Sequence, residues 1–421
     1  MEICARILVE QPFLKEECPN GARIMISQSA RSLLEENRKL LTRRGAWVKT
    51  HGHGLALGMD VDTTAVLHAL SPAEIERACD AVNPIFGLAV DEVALANLAK
   101  ADPMEAIDDQ SAELIASENE DVLFNRWAAA REDEVQAKIV FGLSGRMIAW
   151  LRSATLADLR VVARSGHVCI RIAARPSYLW HAGKTEHLSQ SQRTGLAIVN
   201  RRNTAAIHSA PAWDGSTASG LEMAEDWDSP AFVARFEMLV QYTNRPAVIR
   251  QMMMLECPDK TLRRKIRDVG ERFKLNRSAA KGRRTGFSEL MKTVREKYHY
   301  SIVYSIYSQS GIEASVADGN YIDHLMEIYQ RYLAVTGSRL ETAALDFETY
   351  AEYLAAITRG NIQVNDCSAC GAQHISKLDS PSIPECPFCV AHEHRGFNIS
   401  SVLAGYQSNE SENRRSFRAY C

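Results

Sequence analysis

Apolar residues recur at helical spacing over 27–48, 72–82, 119–139, 146–164, 230–241, 247–256, 260–273, 287–308, 320–335 and 346–358, which predicts helices there. Two stretches, Pro84–Val90 and Val168–Ala173, alternate apolar with other residues and read as short strands. The pattern predicts a mostly α fold with few β elements.

Within the first half the pattern repeats. Leu-Ala-Leu-Gly at 55–58 matches Ile-Val-Phe-Gly at 139–142, and the register continues ungapped at an offset of 84. Met59 then meets Leu143, Val66 meets Trp150, Leu67 meets Leu151 and Ile75 meets Leu159. Ser71 and Thr155 coincide, and each opens a Ser/Thr-x-x-acid capping box closed by Glu74 or Asp158. A polar-apolar helix precedes each copy, at 27–48 and 119–139, and an alternating run follows it. Chance similarity between two helical hairpins is the alternative; unbroken register through a capping box and the next strand favours duplication.

Composition shifts between about 186 and 228. His208-Ser-Ala-Pro-Ala-Trp-Asp-Gly-Ser-Thr-Ala-Ser-Gly220 is made of small and turn-forming residues, so 187–228 reads as a linker. After His394 the chain turns polar and reads as a mobile tail. A net charge of −3 over 421 residues is uninformative as a total. Its distribution is not: 103–134 is acidic, whereas Lys260–Lys297 holds fourteen Lys/Arg against four Asp/Glu. No apolar run approaches the roughly 18–20 residues of a membrane helix. Met1-Glu-Ile-Cys4 does not open a secretion signal, so the expected place is the cytoplasm.

Six of the ten cysteines are scattered; the other four form two close pairs. Cys367-Ser-Ala-Cys370 and Cys386-Pro-Phe-Cys389 make a C-x2-C-x15-C-x2-C arrangement, with Gly371 relieving the first turn. Two such knuckles supply four soft ligands to one tetrahedral Zn²⁺, and four thiolates leave no open position, which points to a structural ion. A redox dithiol pair and an iron–sulfur cluster are the rival readings. His374, His392 and His394 lie nearby and read as surface groups.

Arg245–Leu255 and Thr261–Val269, joined by Glu-Cys-Pro-Asp259, fit two helices about a tight turn, with Thr261 as the second cap. Leu262, Ile266 and Val269 share one face; Arg263, Arg264, Lys265 and Arg267 occupy the other. Arg272, Lys274, Arg277, Lys281, Arg283 and Arg284 continue the charge into a Gly/Ser-containing stretch suited to a phosphate backbone. A solvated helix face is the plainer reading, but an imbalance this large in a slightly acidic chain favours nucleic acid. His51-Gly-His53-Gly reads as a turn, and Tyr298–Tyr307 as core rather than a base-stacking strip. No P-loop, nucleophile elbow, zincin or dinucleotide motif is present, so a non-enzymatic protein is expected.

Phe141-Gly-Leu-Ser144, Trp150-Leu151, Ala154-Thr-Leu-Ala-Asp158-Leu159, Ala163 and Val168-Cys-Ile-Arg-Ile172 resemble the FlhD subunit of the FlhD–FlhC transcription activators, and 55–90 resembles a diverged copy. Residues 230–390 are similar to FlhC, with a helix-turn-helix-like pair, a basic segment and a terminal four-cysteine cluster. The resemblance implies FlhD-like units at 1–100 and 101–186, the linker at 187–228, an FlhC-like helical domain at 229–360, a zinc module at 361–395 and a polar tail at 396–421. It further implies a fused activator of the kind that switches on excision and transfer genes of integrative and conjugative elements. Promoter DNA and RNA polymerase are its expected partners. Two FlhD-like units per FlhC-like unit reproduce the family's ratio, so a homodimer of this chain would match the complete assembly. Exposed apolar surface on the FlhD-like units is a candidate dock for a protein antagonist. A protein-binding adaptor remains the alternative function.

Overall fold

The computed structural model describes residues 14–16, 24–26, 28–52, 54–100, 110–202, 227–253, 255–275, 291–310, 321–338, 340, 343–358, 361–378, 385–391, 401–404 and 406. After a short hairpin, β1 (Leu14–Glu16) with β2 (Ile24–Ile26), the chain is mostly helical. The first copy of the repeat comprises α1 (Gln28–His51), α2 (Val61–Ala69), α3 (Pro72–Cys79), β3 (Phe86–Leu88) and α4 (Glu92–Leu98). The second comprises α5 (Gln110–Glu132), α6 (Glu134–Phe141), α7 (Gly145–Ser153), α8 (Leu156–Ala163), β4 (Ile170–Ile172) and α9 (Pro176–Lys184). Both capping boxes form as the sequence predicts, Ser71 with Glu74 and Thr155 with Asp158. The helices expected at 119–139 and 146–164 are each two. Asp133 caps a new helix at one break, and Thr155 at the other, because a side chain that accepts from the next turn's N–H groups restarts the ladder.

The two copies face each other about an approximate two-fold axis. Strands β3 and β4 pair antiparallel as Phe86–Ile172, Gly87–Arg171 and Leu88–Ile170. At the offset of 84 this register is self-reciprocal, with the axis at Gly87–Arg171. Two interior ion pairs obey the same two-fold relation, at an offset of 82 in the preceding helices: Arg126 grips Glu36 at 2.6 and 2.8 Å, and Arg44 meets Glu118 at 2.9 Å. Asn37 and Asn119, both fully buried, do the same work in each copy. Each donates to two carbonyls ahead of its strand and accepts from one backbone N–H, of Ile85 or of Cys169. The last helix of each copy crosses to the other: α4 packs on α7 and α8, while α9 packs on α2 and α3. Leu95 and Leu179, equivalent at the offset, are the fully buried anchors.

The stretch expected as a linker from 187 is not one at its start. Ser189 opens a capping box for α10 (Gln190–Val199), whose Leu196, Ala197, Ile198 and Val199 are buried. Arg202 then pairs with the backbone of Ala173, and Arg201 makes a bridge to Ala174. Residues 203–226, including the turn-rich run, lie outside the described residues.

The remaining helices are α11 (Pro230–Tyr242), α12 (Pro246–Met253), α13 (Asp259–Arg272), α14 (Val294–Gln309), α15 (Tyr321–Thr336) and α16 (Phe347–Thr358). Tyr298–Tyr307 is core-facing as expected, with Tyr300, Ile302, Val303 and Ile306 buried. The ribbon of β5 (Ile362–Asp366) and β6 (Gln373–Lys377) follows, and then α17 (Pro387–Ala391). Helices α14 and α15 pack on α10 and α6, so α10 joins the paired copies to the C-terminal helices. The expected mobile tail also needs correction: residues 401–404 are helical, Val402 and Tyr406 are buried, and the Tyr406 hydroxyl donates to the Gly52 carbonyl.

Candidate metal centre and basic helix

The two cysteine pairs come together. Sγ atoms of Cys367 and Cys389 are 3.6 Å apart, as are those of Cys370 and Cys386, and all four lie within 4.8 Å of one another. A disulfide needs about 2 Å, whereas sulfurs about 2.3 Å from a tetrahedral ion stand about 3.8 Å apart. The spacing fits a metal ion held by four sulfurs. The first knuckle is closed by Gly371 N–H donating to Cys367 O, at 2.8 Å, and Cys367 N–H donating to Ala372 O, at 3.0 Å. Hydrogen bonds donated by the thiol protons of Cys370 and Cys389 draw the Cys386 thiol well below the ordinary thiol range. Sharing that proton, together with burial, pushes Cys370 far above the ordinary thiol range.

The centre is fastened on two sides. Phe388 packs on Tyr298 of α14 with ring centroids 4.7 Å apart, and Ile375 N–H donates to the Ser301 hydroxyl. On the other side, Arg175 donates to the Gly371 carbonyl at 2.6 Å and pairs with Asp366 at 3.2 Å. Gly371 has φ +69, and a Cβ there would stand 2.4 Å from Ser177 Oγ. The knuckle therefore sits directly on the start of α9. His374, read as a surface group from sequence, is buried in β6 between core residues, and its Nδ1 has no hydrogen-bond partner among the described residues. Burial lowers its pKa and keeps the ring neutral. No alternation in the sequence marks that burial, since His374, Ile375 and Ser376 of Gln373-His-Ile-Ser-Lys377 are all buried. His392 and His394 lie outside the described residues.

Helices α11, α12 and α13 pack pairwise into a three-helix cluster over Phe232, Phe236, Leu239, Val248, Ile249 and Met252. The turn-joined pair is present, although α13 begins at Asp259 after Pro258, without the expected Thr261 cap. Leu262, Ile266 and Val269 are buried, as their spacing predicts. Arg263, Arg264, Arg267, Arg272 and Lys274 are exposed. Lys265 departs from that face: its ammonium lies 3.7 Å from the ring centre of Trp227, held by cation–π attraction. Arg272 is paired with Glu237, and Arg263 with Asp259 at 3.4 Å. Arg264 and Arg267 have no ion-pair partner among the described residues. Arg277, Lys281, Arg283 and Arg284 lie outside those residues. No described helix is long and apolar enough to cross a membrane.

Comparison of the chain with protein-family models, with curated proteins and with solved structures finds no match in any of the three.

Proposed function

We propose that this chain is a DNA-binding transcription activator in which a fused pair of FlhD-like units carries an FlhC-like domain, with Zn²⁺ as the ion of the four-cysteine centre. The observation that supports DNA binding best is the three-helix cluster whose second turn-joined helix buries Leu262, Ile266 and Val269 and turns Arg263, Arg264 and Arg267 to solvent. A helix of this form, anchored by two others, is the element that enters a major groove in helix-turn-helix proteins. Its cations supply sequence-independent phosphate attraction, and a few of its side chains read base edges. Four sulfur ligands close the coordination sphere, so zinc supplies rigidity: it fixes the β5–β6 ribbon and α17 between α14 and α9. RNA polymerase and a homodimeric partner copy belong to the same reading.

Two measurements test it together: metal content, and binding to duplexes enriched by this chain from a randomised DNA pool, titrated with salt. The expected result is one zinc per chain and an affinity that falls steeply with salt. Arg264→Ala and Arg267→Ala should each flatten the slope of log K against log salt by about one. Failure to enrich any duplex would overturn the reading. It would favour a protein-binding adaptor instead, for which the exposed Val364, Leu378 and Val390 of the metal module offer an apolar surface.

A further inference from the structure

The C-terminal end of α13 is built against its own stability. Gly270 lies inside the helix, where glycine is less favourable than alanine, yet a Cβ there would meet nothing within 4 Å. Packing therefore gives no reason for the glycine. Four residues later the helix closes in a Schellman motif, with Lys274 N–H donating to Glu271 O at 3.2 Å and Leu275 N–H to Gly270 O at 2.9 Å. The left-handed residue of that motif is usually glycine; here it is Lys274, at φ 51. Between them Phe273 is 42% exposed, a large aromatic ring with the Arg272 guanidinium 5.7 Å from its centre. Three departures from helix-stabilising choices thus fall within five residues, and among the described residues close packing accounts for none of them.

All three fit one ligand. Arg267 and Gly270, spaced i and i+3, share a face of the helix, and Lys274 stands just past the helix end, so the bare backbone of Gly270 lies between two cations along the chain. Resting on the DNA reading above, we propose that this helix end is a DNA contact. A phosphodiester passes over Gly270 between Arg267 and Lys274, and Phe273 presses its ring against a nucleobase. Glycine permits the close approach that a Cβ would block. Lysine at the strained position keeps a charge where glycine would only have relieved the backbone. The exposed ring supplies the apolar wedge or stacking face that nucleic-acid-binding proteins set among cations.

The signature is opposite movement of stability and binding. In the full chain, Gly270→Ala and Lys274→Gly should leave Tm unchanged or raise it by about 1–2 °C. Gly270→Ala should weaken binding to the enriched duplex about tenfold, and Lys274→Gly should lower the salt slope by about 0.9. Phe273→Ala should hold Tm yet weaken binding by about tenfold or more, with Phe273→Trp retaining it. Permanganate reactivity of unstacked thymines, present with the wild type, should vanish with Phe273→Ala. If wild type enriches a duplex and all three variants bind it as tightly, this contact is refuted while the DNA reading stands. If wild type enriches none, the DNA reading falls first. Binding that drops only in step with Tm would show a structural role and overturn the proposal.

Discussion

At the scale of single residues, the interior ion pairs across the repeat axis are equivalent in position but not in completeness. Both Glu36 oxygens are engaged by Arg126, and Asn125 adds a third bond at 2.6 Å. In the other pair, Arg44 Nη1 and Glu118 Oε1 are buried without a hydrogen-bond partner among the described residues, and burial raises the Glu118 pKa. Removing one member of a complete buried pair strands the other charge, at about 3–5 kcal/mol. Arg126→Met should therefore cost that much in denaturant unfolding, and adding Glu36→Met should recover much of it. Arg44→Met should cost less. A second residue gives a pH dependence. Burial, and then the charge of Asp133, raise Glu327 to about 7. A folded pKa above the unfolded one, about 4.3, means that the native state holds the extra proton between the two values. Its contribution is complete below about 4 and is lost as pH rises through 7. Stability should fall over that window, and Glu327→Gln should flatten the profile; an unchanged slope would exclude Glu327 as its source.

At the scale of elements, the metal knuckle is a wedge between two parts of the chain. Gly371→Ala would place a methyl group against Ser177 at a backbone angle that alanine resists. It should destabilise the chain by about 1–3 kcal/mol while metal content stays at one per chain. Chelation should do the converse: with the ion withdrawn the four cysteines no longer tie the ribbon to α17, and amide exchange should quicken at β5 and β6 and also around Arg175 and Ser177. Much of this was legible in the chain itself. The cysteine spacing marks the four sulfurs that the fold brings together, because two C-x-x-C turns have few other uses, and Ser71 and Thr155 mark helix starts because a cap acts on its own three neighbours. Short helices were less visible. Over α4, α9 and α10 only about two to three turns are available, and α9 buries Tyr178, Leu179, Ala182 and even Ser177 and His181, so no apolar stripe with a polar back appears. The tail misled for a related reason: Val402 and Tyr406 are isolated apolar residues in polar sequence, and the place of Tyr406 against Gly52 and His68 is visible only in the fold.

At the scale of the whole molecule, the exchanged helices make the paired copies one body. A protease site introduced between Lys100 and Gln110 and cut after folding should leave the two pieces co-eluting in native buffer. Two species should appear only in denaturant; separation in native buffer would show that α4 and α9 do not hold the copies together. The axis itself is not symmetric in chemistry, since Gly87 faces Arg171. Two second copies meeting through the same ribbon would set arginine against arginine, a like-charge opposition that disfavours the pairing. The covalent tie has a further consequence for dosage. Union of separate subunits is second order and fails at low copy number, whereas here the partner arrives on the same chain at an effective concentration on the order of millimolar. The paired scaffold is thus complete in the first molecule made, and its amount follows synthesis linearly, with no threshold and no need to match two gene products.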